Sequence, residues 1–236
     1  GALIAVRPSG SRMAPTLVSA AVGALLAAAL LGSAFDRRSV AIVVAAAAAP
    51  DLDAVASLAV PGATNALFHA LWIPLAVGVA LRWDTAHRER SWLRERAVGA
   101  TGDRAVRVAW VALASFVVAG IGPDLFWRAG VNPLYPVHDA YYLVSGRLVF
   151  STQEGIVQTF VTLGRAGPGV LPIERLGTSA THAVPTWVNP DGRPGLSLDA
   201  EREIALVRTG WQLIVVATAL ATLAVRFRET DAEVTR

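Results

Sequence analysis

The sequence predicts an all-α polytopic membrane protein, with about five transmembrane helices and one long extramembrane region that carries a β-hairpin. Hydrophobic residues make up 54% of the 236 residues, and the mean hydropathy is +0.49. The apolar residues come in blocks rather than being spread at helix or strand period, as a bilayer-spanning chain requires. The basic residues are all arginine and gather at the ends of those blocks, where membrane topology accounts for them.

The first block runs from Ala14 to Gly32 and is long enough to span. Arg7 and Arg12 ahead of it give residues 1–32 the look of a signal peptide. Its length instead favours a retained helix, and Met13 is a candidate natural start. The second block begins at Ser39 and meets Pro50 after about a dozen residues, roughly 17 Å of helix. It either stops there as a half-helix or continues through Asp51 and Asp53 to Val60. The third block is Asn65 to Leu81. The fourth is Val108 to Ile121, running into "GPDLFW". The fifth is Val207 to Val225, closed by "RFRETDAEVTR".

The arginines orient these blocks. Residues 82–107 form a short arginine-rich loop and are expected in the cytoplasm. Arg37–Arg38 and Arg226–Arg228 place the start of the second block and the C-terminus on the same side. The "PDLDAVASLAVPGATN" turn and residues 138–205 then fall outside a plasma membrane. This gives a four-span core at 1–137, an external region at 138–205, and a fifth helix with its tail at 206–236. Within the external region, Arg147–Phe150 and Ile156–Leu163 flank a polar turn at Gly155 and read as the hairpin. "NPDG" marks a turn. "SLDAEREIALV" reads as a helix start leading into the fifth block.

Several function classes lack support. There is no cysteine, hence no disulfide framework, no thiol nucleophile and no cysteine zinc site. A net charge of +3 gives no reason to expect nucleic acid. No phosphate-binding glycine loop, HExxH or GxSxG occurs.

The residues that carry chemistry fall at one membrane depth. "PDL" occurs at 50–52 and again at 123–125, each at the outer end of a segment running outward. His69 lies one turn inside the outer start of the third block, and "YPVHDAYY" follows the fourth on the same side. Asp51, Asp53, His69, Asp124, His138 and Asp139 thus converge. Aspartate and neutral histidine are the oxygen and nitrogen ligands that suit zinc or manganese, and such a set suits metal-assisted hydrolysis. Each residue also has a structural reading. Pro–Asp can simply start a helix, His69 can bond a neighbouring helix, and His138–Asp139 can be interfacial polarity. On a helix, residues i and i+2 point roughly 200° apart, so at most one of Asp51 and Asp53 faces a given site while the other caps or supports it. His182 is a weaker ligand candidate in a loop, and His87 lies on the opposite face.

The segments "AAAPDLD", "ATNALFHALWIPL", "GIGPDLFWRAGVNPLYPVHDAYY" and "GIVQTFV" resemble those of the YdjM-like membrane-bound metal-dependent hydrolases, in a haloarchaeal style, over about residues 14–161. The resemblance implies a polytopic helical hydrolase with distant kinship to zinc-dependent phospholipases and nucleases, and so a phosphoester, including a lipid, as substrate. Three histidines common in that family are replaced. The first helix has none, Thr64–Asn65 takes the place of one, and Gly120 takes the place of another.

The sequence therefore predicts a divalent metal ion, zinc or manganese, held by Asp51, Asp53, His69 and Asp124, with His138 and Asp139 as catalytic residues. The lipid bilayer and a phosphoester or lipid substrate are the expected partners. The alternative is a non-catalytic membrane scaffold that keeps the fold and has lost the metal. A transporter would use the broken second block as a discontinuous helix, but no inverted repeat beyond the doubled "PDL" supports it.

Overall fold

A computed structural model of the chain describes residues 15–95, 102–146, 148–153, 155–158, 173–192, 195 and 199–234. Helix α1 (Thr16–Leu30) is rich in alanine and leads through a 3-10 turn at Gly32–Ala34 into α2 (Arg37–Ala48). Asp36 caps α2 by accepting the Ser39 amide at 2.6 Å and pairs with Arg104. Small residues let these helices approach, which is how helices associate where no hydrophobic driving force separates protein from lipid. A Cβ on Gly23 would lie 2.6 Å from the Ala47 Cβ and 3.0 Å from Ser115 Oγ.

At Pro50 the helix changes rather than ends. Proline has no N–H for the i−4 carbonyl, and the chain tightens into a 3-10 turn at Ala49–Leu52 before α3 (Asp53–Ala56). The second block is thus a continuous helical stretch from Arg37 to Ala56 with an altered turn at its aspartates. Turns occupy 57–71, and α4 covers Trp72–Ala86. The third block therefore becomes helical seven residues later than Asn65. Asn65 holds a left-handed φ of 55°, and the amides of Ala66 and Phe68 turn back to the Asp53 carboxylate. That tertiary capping competes with helix at the start of the block.

Helix α5 (Trp92–Glu95) is a single turn. Helix α6 (Gly102–Ser115) continues through a π-helical turn at Phe116–Ile121 into α7 (Gly122–Leu125). Helix α8 (Gly210–Val234) runs nine residues past the expected end of the fifth block. It also starts later than "SLDAEREIALV" suggests, since residues 199–209 are irregular. The Arg208 amide donates to Gln212 Oε1 at 2.6 Å, a side-chain cap that fixes the start of α8. Among the described residues, three stretches are long and apolar enough to cross a membrane: Arg37–Ala56, Gly102–Leu125 and Gly210–Ala232. Helix α1 is apolar but has 15 residues, and α4 also has 15.

Two small antiparallel pairs lie in the region between α7 and α8. β1 (Tyr141–Val144) pairs with β4 (Ile173–Gly177), and β2 (Leu148–Ser151) pairs with β3 (Gly155–Gln158). The second pair is the hairpin read from the sequence; Arg147 and residues 159–163 of that reading lie outside the described residues. The β1–β4 pair was not anticipated.

This region braces the end of the bundle that carries the aspartates. The buried Tyr141 donates its hydroxyl proton within reach of Gly62 O (2.8 Å) and Thr64 O (2.7 Å). Asn189 donates to Ser57 O and Oγ. Asn132 donates to Asp139 and takes the Ala140 amide. At the opposite end of the bundle, Arg226 lies over Phe35, Arg37 lies over Phe227, and Arg37 pairs with Asp231 at 3.3 Å.

Candidate metal centre

Two interrupted helices and one turn bring the site together. The 3-10 turn carries Asp51, the first residue of α3 is Asp53, α7 carries Asp124, and the 63–71 turns carry His69. Both "PDL" copies place proline in the first turn of a short helical segment, where its missing N–H costs nothing. The π-helical turn before the second copy re-aims the residues that follow, a use seen often at functional sites. Gly120 lets the two irregular turns touch. A Cβ there would lie 2.7 Å from Pro50 Cγ and 2.8 Å from Ala47 O. The position at which the resemblance leads one to expect histidine therefore has no room for a side chain in this packing.

Asp51, His69 and Asp124 present one ligand atom each, all within 4.8 Å of one another. His69 and Asp124 are fully buried and Asp51 is 9% exposed. Asp53, also fully buried, stands behind the histidine. Its Oδ2 is 2.8 Å from His69 Nδ1, and the carboxylate also accepts the Ala66 amide (3.0 Å) and the Phe68 amide (2.7 Å). An ionised carboxylate only accepts, so Nδ1 carries the proton and Nε2 is left facing the cluster. Metal-binding histidines are oriented in the same way by a carboxylate on the other ring nitrogen.

The donor set fits a divalent cation on three grounds. His69 Nε2 and Asp124 Oδ2 are 3.3 Å apart, close to the roughly 3.4 Å that separates two ligand atoms on one tetrahedral zinc ion. Neither oxygen of the buried Asp51 carboxylate has a hydrogen-bond partner, although the Thr16 side chain stands beside it. Three carboxylates also share one imidazole, and buried charge of one sign needs a counter-ion.

The other expected residues lie apart from this cluster. His138 is exposed, with Nε2 2.7 Å from the Tyr142 hydroxyl. Asp139 accepts from Asn132 Nδ2 (2.7 Å), the Ser179 amide (2.8 Å) and Ser179 Oγ (2.7 Å), and so clasps two loops. The structure gives both residues partners outside the Asp51–His69–Asp124 group. His182 Nε2 lies 2.8 Å from Ala129 O and its ring packs on Tyr141.

Sequence reasoning missed the supports. Tyr141, Asn65 and Asn132 are fully buried polar residues that hold the His69 turn. Asn65 donates to Gly130 O, and its carbonyl accepts the Asn132 amide. A lone asparagine opening the otherwise apolar third block was the available signal for the first of these.

The model of the YdjM inner membrane protein family matches residues 16–190. Neither a curated protein nor a solved structure matches the chain.

Proposed function

The chain is a member of the YdjM inner membrane protein family, and from that premise we propose that it is an integral-membrane metal-dependent hydrolase acting on a phosphoester. The observation that carries this reading is the buried Asp51–His69–Asp124 cluster, with ligand atoms within 4.8 Å and an Asp51 carboxylate left unpartnered. Asp51, His69 and Asp124 would hold zinc or manganese. Such an ion, when bound, lowers the pKa of a water molecule and polarises the ester.

The chain's own residues supply the rest. Asp53 holds the proton on His69 Nδ1 and keeps Nε2 turned toward the two other ligands. The Ala66 and Phe68 amides fix the Asp53 carboxylate in turn, so the ring's one partner on that side is itself held in place. Burial of Asp53, His69 and Asp124 keeps bulk water away, which strengthens each interaction within the cluster.

In this reading α1 and α4 add two shorter crossings to the three long ones. Residues 82–107 and the C-terminus lie in the cytoplasm, and residues 138–205 lie outside. A non-catalytic scaffold is the second reading. It is favoured by Gly120, whose contact with Pro50 removes one position where the resemblance leads one to expect a ligand.

Metal analysis of detergent-purified protein, wild type beside Asp51→Asn and Asp124→Asn, tests the proposal. About one equivalent of zinc or manganese in the wild type and its loss in both variants is expected for a single shared ion. A wild type that stays metal-free after purification without chelators and incubation with both ions refutes the hydrolase and leaves the scaffold.

A further inference from the structure

An apolar groove lies between α4 and α6, and one end of it is lined by Leu71, two residues after His69 in the sequence. One wall is Leu71, Trp72 and Leu75 of α4 and the residue before it; the other is Trp110 and Leu113 of α6 with Val117 of the π-helical turn. The groove encloses about 480 Å³ and no charged residue lines it. That volume lies within the range of sites for small molecules.

The groove exists because α4 stands off from α6. Pro74 is the one buried residue of α4, and Leu75, Val77 and Val79 remain exposed. Its upper wall is fixed. The Trp72 indole N–H donates to Leu134 O at 3.3 Å, and the Leu71 amide donates to Pro133 O at 2.8 Å. Leu71 follows His69 by two residues, so this end abuts the turn that carries the histidine. At the other end, Trp110 lies fourteen residues before Asp124, about 21 Å along the helix. The walls on α6 fall within the stretch Gly102–Leu125, which is long and apolar enough to cross a membrane.

We propose that this groove holds one acyl chain of a bilayer phospholipid whose phosphoester headgroup lies at the Asp51–His69–Asp124 cluster. The inference rests on the hydrolase reading and deepens it: the substrate is a membrane lipid that enters sideways from the bilayer. The medium around α4 and α6 decides the occupant. A slot open to hydrocarbon and without a charged group gives a water-soluble ligand nothing to bind, whereas a flexible apolar chain fills it without leaving the membrane. The fixed Trp72 wall sets the chain's upper end beside the headgroup site.

The test uses the full chain in vesicles of phosphatidylcholine and phosphatidylglycerol, doped with a phospholipid that carries a diazirine at the end of one acyl chain. After irradiation, adducts are mapped by peptide mass spectrometry. The expected result is labelling of 71–75 and 110–117 several-fold above the exposed Leu213, Ile214 and Leu220 of α8. That labelling should fall at least fivefold in Ala114→Phe, which fills the groove from its α6 wall, where Ala114 follows Leu113, with Leu75→Phe as a second filling variant should the first not fold. Labelling equal to that of α8, or unchanged in a folded filling variant, overturns the proposal.

A second arm separates this failure from failure of the hydrolase. With metal supplied, the filling variants should lose phospholipid hydrolysis while keeping hydrolysis of a soluble chromogenic phosphoester. Loss of neither overturns the groove and spares the hydrolase. Groove labelling in a wild type that cleaves neither ester refutes the hydrolase and supports acyl-chain binding alone.

Discussion

Asp53 Oδ2 lies 2.8 Å from His69 Nδ1, and both residues are fully buried. The pair divides the work of the "PDLD" motif. Asp51 offers one carboxylate oxygen to the cluster, and Asp53, two residues on, faces the histidine from behind. Replacing Asp53 by asparagine keeps the shape and removes the ionised acceptor. Metal affinity is expected to fall 10–100-fold, as for other carboxylates that orient a metal-binding histidine, while the helical content stays the same. Titration calorimetry with zinc or manganese, beside circular dichroism, checks this. An Asp53→Asn protein that binds metal like the wild type would show that Asp53 serves only to hold the Ala66 and Phe68 amides.

Gly120 is the packing counterpart of that chemistry. A methyl group there would sit 2.7 Å from Pro50 Cγ and 2.8 Å from Ala47 O, so the two interrupted helices would have to separate. Gly120→Ala is expected to destabilise the protein by about 1–3 kcal/mol, the usual cost of overpacking, and to lower the thermal midpoint in detergent. Gly210→Ala is the control, because nothing lies within 4 Å of a Cβ at that position. Its effect should stay within about 0.5 kcal/mol. Equal midpoints for the two variants would mean that the bundle tolerates separation at Pro50.

Much of this architecture was legible where local chemistry decides it. Block composition pointed to the long apolar helices, and the repeated "PDL" pointed to two aspartates that the fold brings together. The β2–β3 hairpin followed from β-prone runs around Gly155. What was not legible depends on contacts distant in sequence. The delayed start of α4 follows from Asp53 capturing the amides of Ala66 and Phe68, thirteen and fifteen residues away. Residues 199–209 carry helix-start signals, yet Ile204 and Leu206 are left exposed with no face to bury. The Gln212 cap on Arg208 starts the helix later instead. The clasp of Asp139 on Ser179, forty residues on, is likewise a contact distant in sequence.

That clasp predicts a pH dependence. Burial would raise the Asp139 pKa, but hydrogen bonds from Ser179 and Asn132, with the charge of Arg175, hold it below the ordinary carboxylate value. A carboxyl whose pKa is lower folded than unfolded stabilises the fold fully above its unfolded value, about 3.9. It loses that contribution as the pH falls through the folded value. The loops around Ser179 and Asn132 should therefore keep their hydrogen-exchange protection from pH 7 to about pH 5 and lose it below about pH 4. Asp139→Asn should weaken protection of the Ser179 amide at neutral pH and flatten the acid dependence, because asparagine offers one acceptor where the carboxylate offers two. Metal content at pH 7 should be unchanged in this variant, since Asp139 lies apart from the Asp51–His69–Asp124 group. Loss of both protection and metal would instead mean that the clasp holds the His69 turn in place, through Asn132 and its bond to Asn65.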